Sequence, residues 1–166
     1  MGTRLLIEQL IKRHYPRLRY VRAHTTGRNT ATLYAWNEDL ELPAADAAEL
    51  KRFAAGHLAP YVCYRVKAYS KLQEDLVPRE RELPEPIMQA ATNRILNPSG
   101  IAAVMNGLLE KQVLTFRKYD YCSNTIHFEV RTAKERSEIE EELVQRCLSE
   151  LIPLGARCEL VYCAEE

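Results

Sequence analysis

Along the second half of the chain, the spacing of apolar residues alternates between the period of a helix and the period of a strand. Residues 100–109 repeat at helical spacing, which predicts a helix with one buried face. The period then becomes two over residues 114–119 and 126–131, which predicts the two strands of a hairpin. A strongly amphipathic segment over 137–151 predicts a second helix, and Ser137 and Glu140 at its start match the S-x-x-E pattern of a capping box. Alternation over 158–162 predicts a last strand. The order is therefore α-β-β-α-β.

The same order occurs once before, at an offset of about 95 residues, which is longer than the repeats of solenoid proteins. Pro60 and Pro153 stand at matching junctions between a helix and a strand. We therefore predict an internal pseudo-repeat, with chance recurrence of common building blocks as the alternative. The predicted elements of the first copy are a helix over 5–14, strands over 18–25 and 30–36, a helix over 43–58 and a strand over 61–72. The predicted hairpin turns of the two copies contain Asn29 and Asn124, because asparagine can adopt a left-handed backbone conformation.

Each copy is expected to form an α+β two-layer sandwich, with its helices on one face of a small sheet. The order matches a ferredoxin-like unit that lacks its first strand, which in that fold lies between the third strand and the last. The last strand then either pairs directly with the hairpin, or leaves a slot for the linker, the other copy or a partner chain. An open strand edge recognises partners through backbone hydrogen bonds.

The chain is predicted to consist of a unit over 1–72, a linker arm over 73–86 and a unit over 87–166. The linker is rich in proline and charge, which is typical of an extended segment. Residues 85–96 predict one further helix. Its expected buried residues are Ile87, Ala90, Ala91 and Ile95, and those of the helix over 137–151 are Ile139, Leu143, Cys147, Leu148 and Leu151.

Composition limits the classes of function. The 166 residues carry a formal net charge of +0, which argues against a general polyanion binder. No apolar run approaches the length of a membrane span and no signal peptide is evident, so a cytoplasmic location is expected. The five cysteines show neither C-x-x-C pairs nor zinc-type spacing, so no metal or cofactor is expected and most are interpreted as buried thiols, with Cys122 exposed in a turn.

The candidate functional residues are polar and aromatic side chains on predicted strands, together with two apolar residues of the linker. Aromatic rings beside cations are compatible with a nucleic-acid platform, but the neutral charge favours sheet packing or a protein interface. The candidate interaction residues are Arg19, Arg22, His24, Arg28, Tyr34, Trp36, Arg65, Lys67, Tyr69, Leu76, Val77, Tyr119 and Tyr121.

Catalytic motifs are not evident. Cys122 and His127 lie on one predicted hairpin without a third group, and the glycines form no phosphate-binding loop. The chain is therefore expected not to be an enzyme. A small enzyme or ligand-binding protein with a site between the two units stays an alternative, as does a nucleic-acid-binding adaptor.

Close to its C-terminus the chain contains the run IEEELVQRCLSELIPLGARCELVY, from Ile139 to Tyr162. Over residues 87–163 it resembles the tail-end family of small baseplate proteins in Mu-like contractile-tailed phages, which end in a helix, a proline turn and a short strand. The usual Pro-Ala-His is here Pro153-Leu154-Gly155. This resemblance implies a non-enzymatic structural protein of a phage tail or tail-like particle. Such a protein would form homo- or hetero-oligomers through strand edges and the linker arm.

Overall fold

The computed structural model describes residues 2–133 and 137–164, and these form two compact units. The first unit contains residues 2–82 and 153–155, and the second contains 83–152 and the described residues from 156 onward. Both combine helices with a three-stranded sheet, so the chain has the expected α+β fold with two units. No helix in the described part of the chain is long and apolar enough to cross a bilayer.

The first unit is a helix layer on one face of a mixed sheet. Strand β2 is central: it pairs antiparallel with β1 and parallel with β3. The elements are α1 (Arg4–His14), β1 (Tyr20–Gly27), β2 (Thr30–Trp36), α2 (Ala44–His57), β3 (Cys63–Ala68) and the short α3 (Lys71–Glu74).

One apolar cluster joins the helices of the first unit to its sheet. It takes every second residue of the strands and one face of each helix, as the periodicity predicts. Thr3 caps the N-terminus of α1, since its hydroxyl accepts a hydrogen bond from the Leu6 N–H. The cluster includes Ile7 and Ile11 of α1, Leu50 and Ala54 of α2, and Val21, Ala23, Ala31, Leu33, Ala35 and Tyr64 of the strands.

The second unit repeats this arrangement with one extra helix at its start. Strand β5 is central, antiparallel to β4 and parallel to β6. Ser137 and Glu140 form the predicted capping box at the start of α6. The elements are α4 (Glu85–Ala91), α5 (Pro98–Asn106), β4 (Gln112–Asp120), β5 (Thr125–Thr132), α6 (Glu138–Leu151) and β6 (Arg157–Ala164).

The two units match in detail at the hairpin turn. Asn29 and Asn124 both adopt left-handed backbone conformations, with φ of 53° and 51°. The carbonyl of each accepts a hydrogen bond from the first residue of the last strand, Cys63 at 2.8 Å and Arg157 at 2.9 Å. The same turn therefore starts the parallel pairing in both copies.

The last strand of each unit pairs directly with the hairpin, which is the first of the two predicted alternatives. The direction of the last strand explains why no space remains for an additional strand between it and the hairpin. In the ferredoxin-like order a missing strand would separate the two, whereas here the last strand runs parallel to its neighbour and occupies that position itself.

Some predicted boundaries and buried faces were wrong. Ile139 is 79% and Leu143 is 42% exposed, because the buried face of α6 is instead formed by Val144, Cys147, Leu148 and Leu151. Ile95 is 82% exposed, since α4 ends at Ala91 and the Asn93 side chain turns the chain by accepting from the Ile95 N–H. The strand predicted over 61–72 is shortened to β3, and α3 follows it.

Candidate functional site

The charged segment after β3 packs on the face of the first sheet that the helices leave open. We call residues 71–80 the arm. The Asp75 carboxylate accepts hydrogen bonds from the Tyr34 hydroxyl and the Lys67 ammonium, each at 2.6 Å. Further along, the Pro78 carbonyl accepts from the Arg22 guanidinium at 3.1 Å. The arm is therefore held on its own sheet at two points and adds no strand to it.

Ion pairs continue from the arm into the helix layer. Glu80 lies 2.6 Å from Arg22 and 2.9 Å from Arg4, and Arg4 also pairs with Glu8 at 3.0 Å. Arg22 is only 6% exposed, and its buried positive charge is compensated by the Glu80 carboxylate and the Pro78 carbonyl. This network anchors the end of the arm.

The carboxyl pKa values reflect these contacts. The hydrogen bonds from Lys67 and then Tyr34 lower the pKa of Asp75. Burial raises the pKa of Glu80, but the pairs with Arg22 and Arg4 outweigh burial, and the net shift is downward. Burial, followed by the bond to Asp75, raises the pKa of the Tyr34 hydroxyl, which therefore stays a donor at neutral pH. Both acidic anchors are thus ionised at neutral pH.

A groove of about 890 Å³ lies between the arm and the sheet. Its aromatic wall is formed by Trp36 and Tyr69, whose ring centres are 5.4 Å apart, and Tyr20 packs on both rings. Such rings offer large apolar area with little conformational freedom to lose on binding. The residues that line the groove are Arg22, Trp36, Tyr69, Ser70, Leu72, Gln73, Leu76, Val77, Pro78, Arg79 and Glu80.

Leu76 stands out within the arm. Its side chain is 86% exposed, and its backbone has a φ of 53°, in the left-handed region that branched or bulky residues rarely adopt. The Leu76 N–H donates to the Gln73 carbonyl and the next N–H, of Val77, donates to the Leu72 carbonyl, which fixes this turn. The contacts of the arm therefore display an apolar side chain at the lip of the groove.

The predicted interaction residues divide between this groove and other places. Arg22, Trp36, Tyr69, Leu76 and Val77 line it, and Tyr34 and Lys67 hold the arm that forms it. The rest do not line it. Arg19 pairs with Glu38, and both Arg28 and Arg65 are exposed. His24 is half-buried, and burial together with the nearby Arg22 lowers its pKa. Tyr119 packs on Tyr121 in the second unit.

Sequence reasoning missed the acidic residues that complete the site, Asp75 and Glu80, and the helix residues Arg4 and Glu8. Asp75 and Glu80 lie in the segment that the sequence predicts to be an extended linker. An arginine at a buried strand position, such as Arg22, requires an acidic partner, and this requirement was the one available indication of the site. The sequence does not identify which of its many carboxylates is that partner.

Both units cover the outer edge of their first strand in the same way. In the first unit the Glu8 carboxylate accepts a hydrogen bond from the Ala23 N–H at 2.8 Å. In the second, the Asn106 carboxamide accepts from the Leu114 N–H at 2.7 Å and donates to the Leu114 carbonyl at 2.9 Å. A side chain of the first long helix of each pseudo-repeat thus replaces a neighbouring strand and closes β1 and β4 to strand addition.

The last strands are open by comparison. Within the described residues, β3 and β6 each pair on one side only. Since the N–H of Arg157 bonds back to the hairpin and backbone groups alternate in direction, the backbone groups of Cys158 and Leu160 point away from the sheet. Each unit therefore has one capped edge and one open edge.

The described residues contain no group of three or more potential metal ligands. All five cysteines are free thiols. Burial raises the pKa of Cys158 to about 12 and also raises that of Cys147, so both are poor nucleophiles at neutral pH. His127 pairs with Glu159 at 3.2 Å on the open face of the second sheet.

No family model, curated protein or solved structure matches the chain.

Proposed function

We propose that this chain is a non-catalytic assembly protein that binds a neighbouring protein subunit, or a second copy of itself, through the arm groove of its first unit. The observation that carries the proposal is Leu76, an apolar side chain 86% exposed on a segment that two sets of charged contacts hold in place. Exposed apolar groups on an ordered support are typical of protein interfaces.

A partner that buries the apolar side chains of the groove would gain binding free energy. Leu76 and the aromatic side chains of Trp36 and Tyr69 line the same groove. Complete burial of a leucine side chain contributes about 1.5–3 kcal/mol. The arm is already ordered by its contacts in the first unit, so binding of a partner carries little entropic cost for ordering the arm.

Charge also favours a protein over a nucleic acid. Two of the cations near the groove have acidic partners: Arg22 pairs with Glu80 and Lys67 with Asp75. Phosphate binding would have to compete with these carboxylates, and the net charge of +0 adds no general attraction. Within this proposal, the assembly is the phage tail or tail-like particle that the resemblance of residues 87–163 implies, with the virion as the final location.

The test combines one variant with a matched control. Leu40 also has a positive φ, of 59°, and is 52% exposed, but it does not line the groove. We would measure the molar mass of the wild type, Leu76→Ser and Leu40→Ser by light scattering after size exclusion over a concentration series. A photo-crosslinking amino acid at position 76 would identify the neighbouring subunit in the cells that make the protein.

We expect Leu76→Ser to weaken association, and Leu40→Ser to behave as the wild type. A wild-type chain that is monomeric at every concentration, and whose position 76 crosslinks to no protein, would contradict the proposal. Equal loss of association in both variants would show that the groove is not the site.

A further inference from the structure

A strained turn interrupts the arm between its two points of attachment. Asp75 is bound to the sheet on one side of this turn, and Pro78 and Glu80 are bound on the other. Between them, Leu76 has a φ of 53° and a side chain that is 86% exposed. A left-handed conformation costs free energy in a residue with a Cβ. Opening the turn therefore relieves strain and removes no buried side chain at Leu76.

The sequence around the turn favours an extended backbone. Val77 is β-branched and precedes Pro78, and both properties favour the extended region for Val77. Two hydrogen bonds close the turn, from the Leu76 N–H to the Gln73 carbonyl at 3.2 Å and from the Val77 N–H to the Leu72 carbonyl at 3.0 Å. All four residues are exposed or half-buried, so water replaces these bonds when the turn opens. The turn at Leu76 therefore has the properties of a hinge.

A second copy of the chain offers the opened segment the same binding site that it occupies at home. Within one chain, the Arg22 guanidinium lies 3.1 Å from the Pro78 carbonyl. The Glu80 carboxylate lies 2.6 Å from Arg22 and 2.9 Å from Arg4. These contacts already show the charge complementarity between the segment and the sheet. Exchange of identical elements between two copies costs little, because every contact outside the hinge is kept.

We propose that two copies of this chain exchange the segment that begins at Val77, with Leu76 as the hinge. In the dimer, Pro78 and Glu80 of each copy lie in the arm groove of the other, and the residues before the hinge stay on their own sheet. The rest of the chain follows the segment, so residues 153–155, which complete the first unit, are exchanged as well. The exchange rests on the proposed function, of which it specifies the partner and the mode of contact.

Two substitutions at the hinge change its strain in opposite directions. Leu76→Gly removes the strain from the closed turn and should lower the dimer association constant at least about tenfold, since each dimer contains two hinges. Leu76→Ile keeps the apolar volume but adds β-branching, which disfavours the closed turn, and should raise the association constant. Leu40→Gly is the matched control, because Leu40 has a φ of 59° outside the arm, and should change nothing.

The measurement is the molar mass by light scattering after size exclusion, over a concentration series of the full chain. Each sample is divided, and one half is first incubated at about pH 4, where protonation of the acidic anchors begins to release the arm, and then returned to neutral pH. Because opening of the arm precedes exchange, we expect the acid step to speed the formation of dimers.

Carbodiimide coupling identifies the chain that supplies the arm. Arg4→Lys places an amine beside the Glu80 carboxylate, because Arg4 lies 2.9 Å from it in the wild type. Coupling of that amine to Glu80 gives a covalent dimer on a denaturing gel when the segment is exchanged, and a monomer when it is not. In a mixture of isotope-labelled and unlabelled chains, mass spectrometry detects coupled peptides of mixed origin. Arg4→Lys combined with Glu80→Gln is the control and should give no coupling at position 80.

We expect the dimers of Arg4→Lys to give mixed coupled peptides and the monomers to give none. A chain that is monomeric at every concentration, after the acid step as well as before it, would overturn the exchange. A dimer whose coupling at Glu80 stays within one chain would also overturn it, and would leave the proposed function in place if Leu76→Ser still weakens that dimer. Serine keeps a Cβ and most of the strain, so an exchanged dimer that Leu76→Ser does not weaken would contradict only the apolar contact of the proposed function.

Discussion

At the scale of single residues, a few polar side chains decide which strand edges can bind another strand. Glu8 and Asn106 each occupy the outer edge of the first strand in their unit. Asn29 and Asn124 hold the turns that start the parallel pairing. None of these residues belongs to an apolar pattern, so periodicity alone gave no indication of the caps, although the turn asparagines were predicted from residue type.

Removing the Asn106 cap should destabilise the second unit. Asn106→Leu leaves the N–H and carbonyl of the buried Leu114 without a partner, and we expect the free energy of unfolding to fall by about 1–2 kcal/mol. Urea denaturation followed by circular dichroism measures this change. Asn106→Asp keeps the acceptor and should lose less, so equal losses in the two variants would contradict the role of the carboxamide as both donor and acceptor.

The turn asparagine of the first unit should be replaceable by glycine but not by alanine. Asn29 has a φ of 53°, where a residue with a Cβ is strained by roughly 1 kcal/mol unless its side chain compensates. We expect Asn29→Ala to be less stable than Asn29→Gly in denaturation followed by fluorescence of Trp36, the single tryptophan. If Asn29→Ala proved more stable than Asn29→Gly, the strain at this turn would have to be relieved in another way.

At the scale of elements, the arm shows how a segment with a linker-like composition becomes part of a folded unit. Its short α3 and the following turn have few buried apolar residues, and Asp75, Pro78 and Glu80 connect it to the sheet. Charged contacts rather than hydrophobic burial therefore order the arm. Such contacts depend on pH.

Acid should release the arm. The folded-state pKa values of Asp75 and Glu80 are lower than their ordinary values, so their pairs stabilise the arm fully above the ordinary carboxyl pKa of about 4. That contribution is lost as the pH falls through the lowered values. We expect the Val77 amide to exchange faster below about pH 4, after correction for intrinsic rates.

Two variants test the cause of that release. Asp75→Asn combined with Glu80→Gln should free the arm at every pH, and so remove the dependence. Glu74→Gln is the control, because Glu74 is exposed and pairs with Lys71 inside α3. If the arm of the double variant still shows the wild-type dependence, other groups control its release.

At the scale of the whole molecule, the first unit is completed by three residues from near the end of the chain. Leu154 is part of its apolar cluster, and its N–H donates to the Gly2 carbonyl at 2.8 Å. Gly155 donates its N–H to the Thr25 hydroxyl and accepts from the Asn29 N–H. It has a φ of 83°, and a Cβ there would lie 3.1 Å from Val62. A domain boundary drawn along the sequence therefore misses part of the first unit.

Truncating Leu154 should destabilise the first unit. Leu154→Ala removes a buried side chain from the cluster, and we expect the free energy of unfolding to fall by about 2–5 kcal/mol. Trp36 fluorescence reports the loss directly, because Trp36 belongs to the first unit. Ile139→Ala, at a residue 79% exposed, should change stability little. An unchanged Trp36 transition in Leu154→Ala would contradict this assignment of residues 153–155.

The order of the long helices and strands, the α+β class, the turn asparagines and the capping box at Ser137 could all be predicted from the sequence, because each depends on local periodicity or local hydrogen bonds. The structure was needed to identify the carboxylate that pairs with Arg22, the position of the arm, the capped strand edges and the unit that contains Leu154. These features join residues that are far apart in the chain. Many side chains of the same type could satisfy each of them, so spacing along the sequence does not identify the one that does.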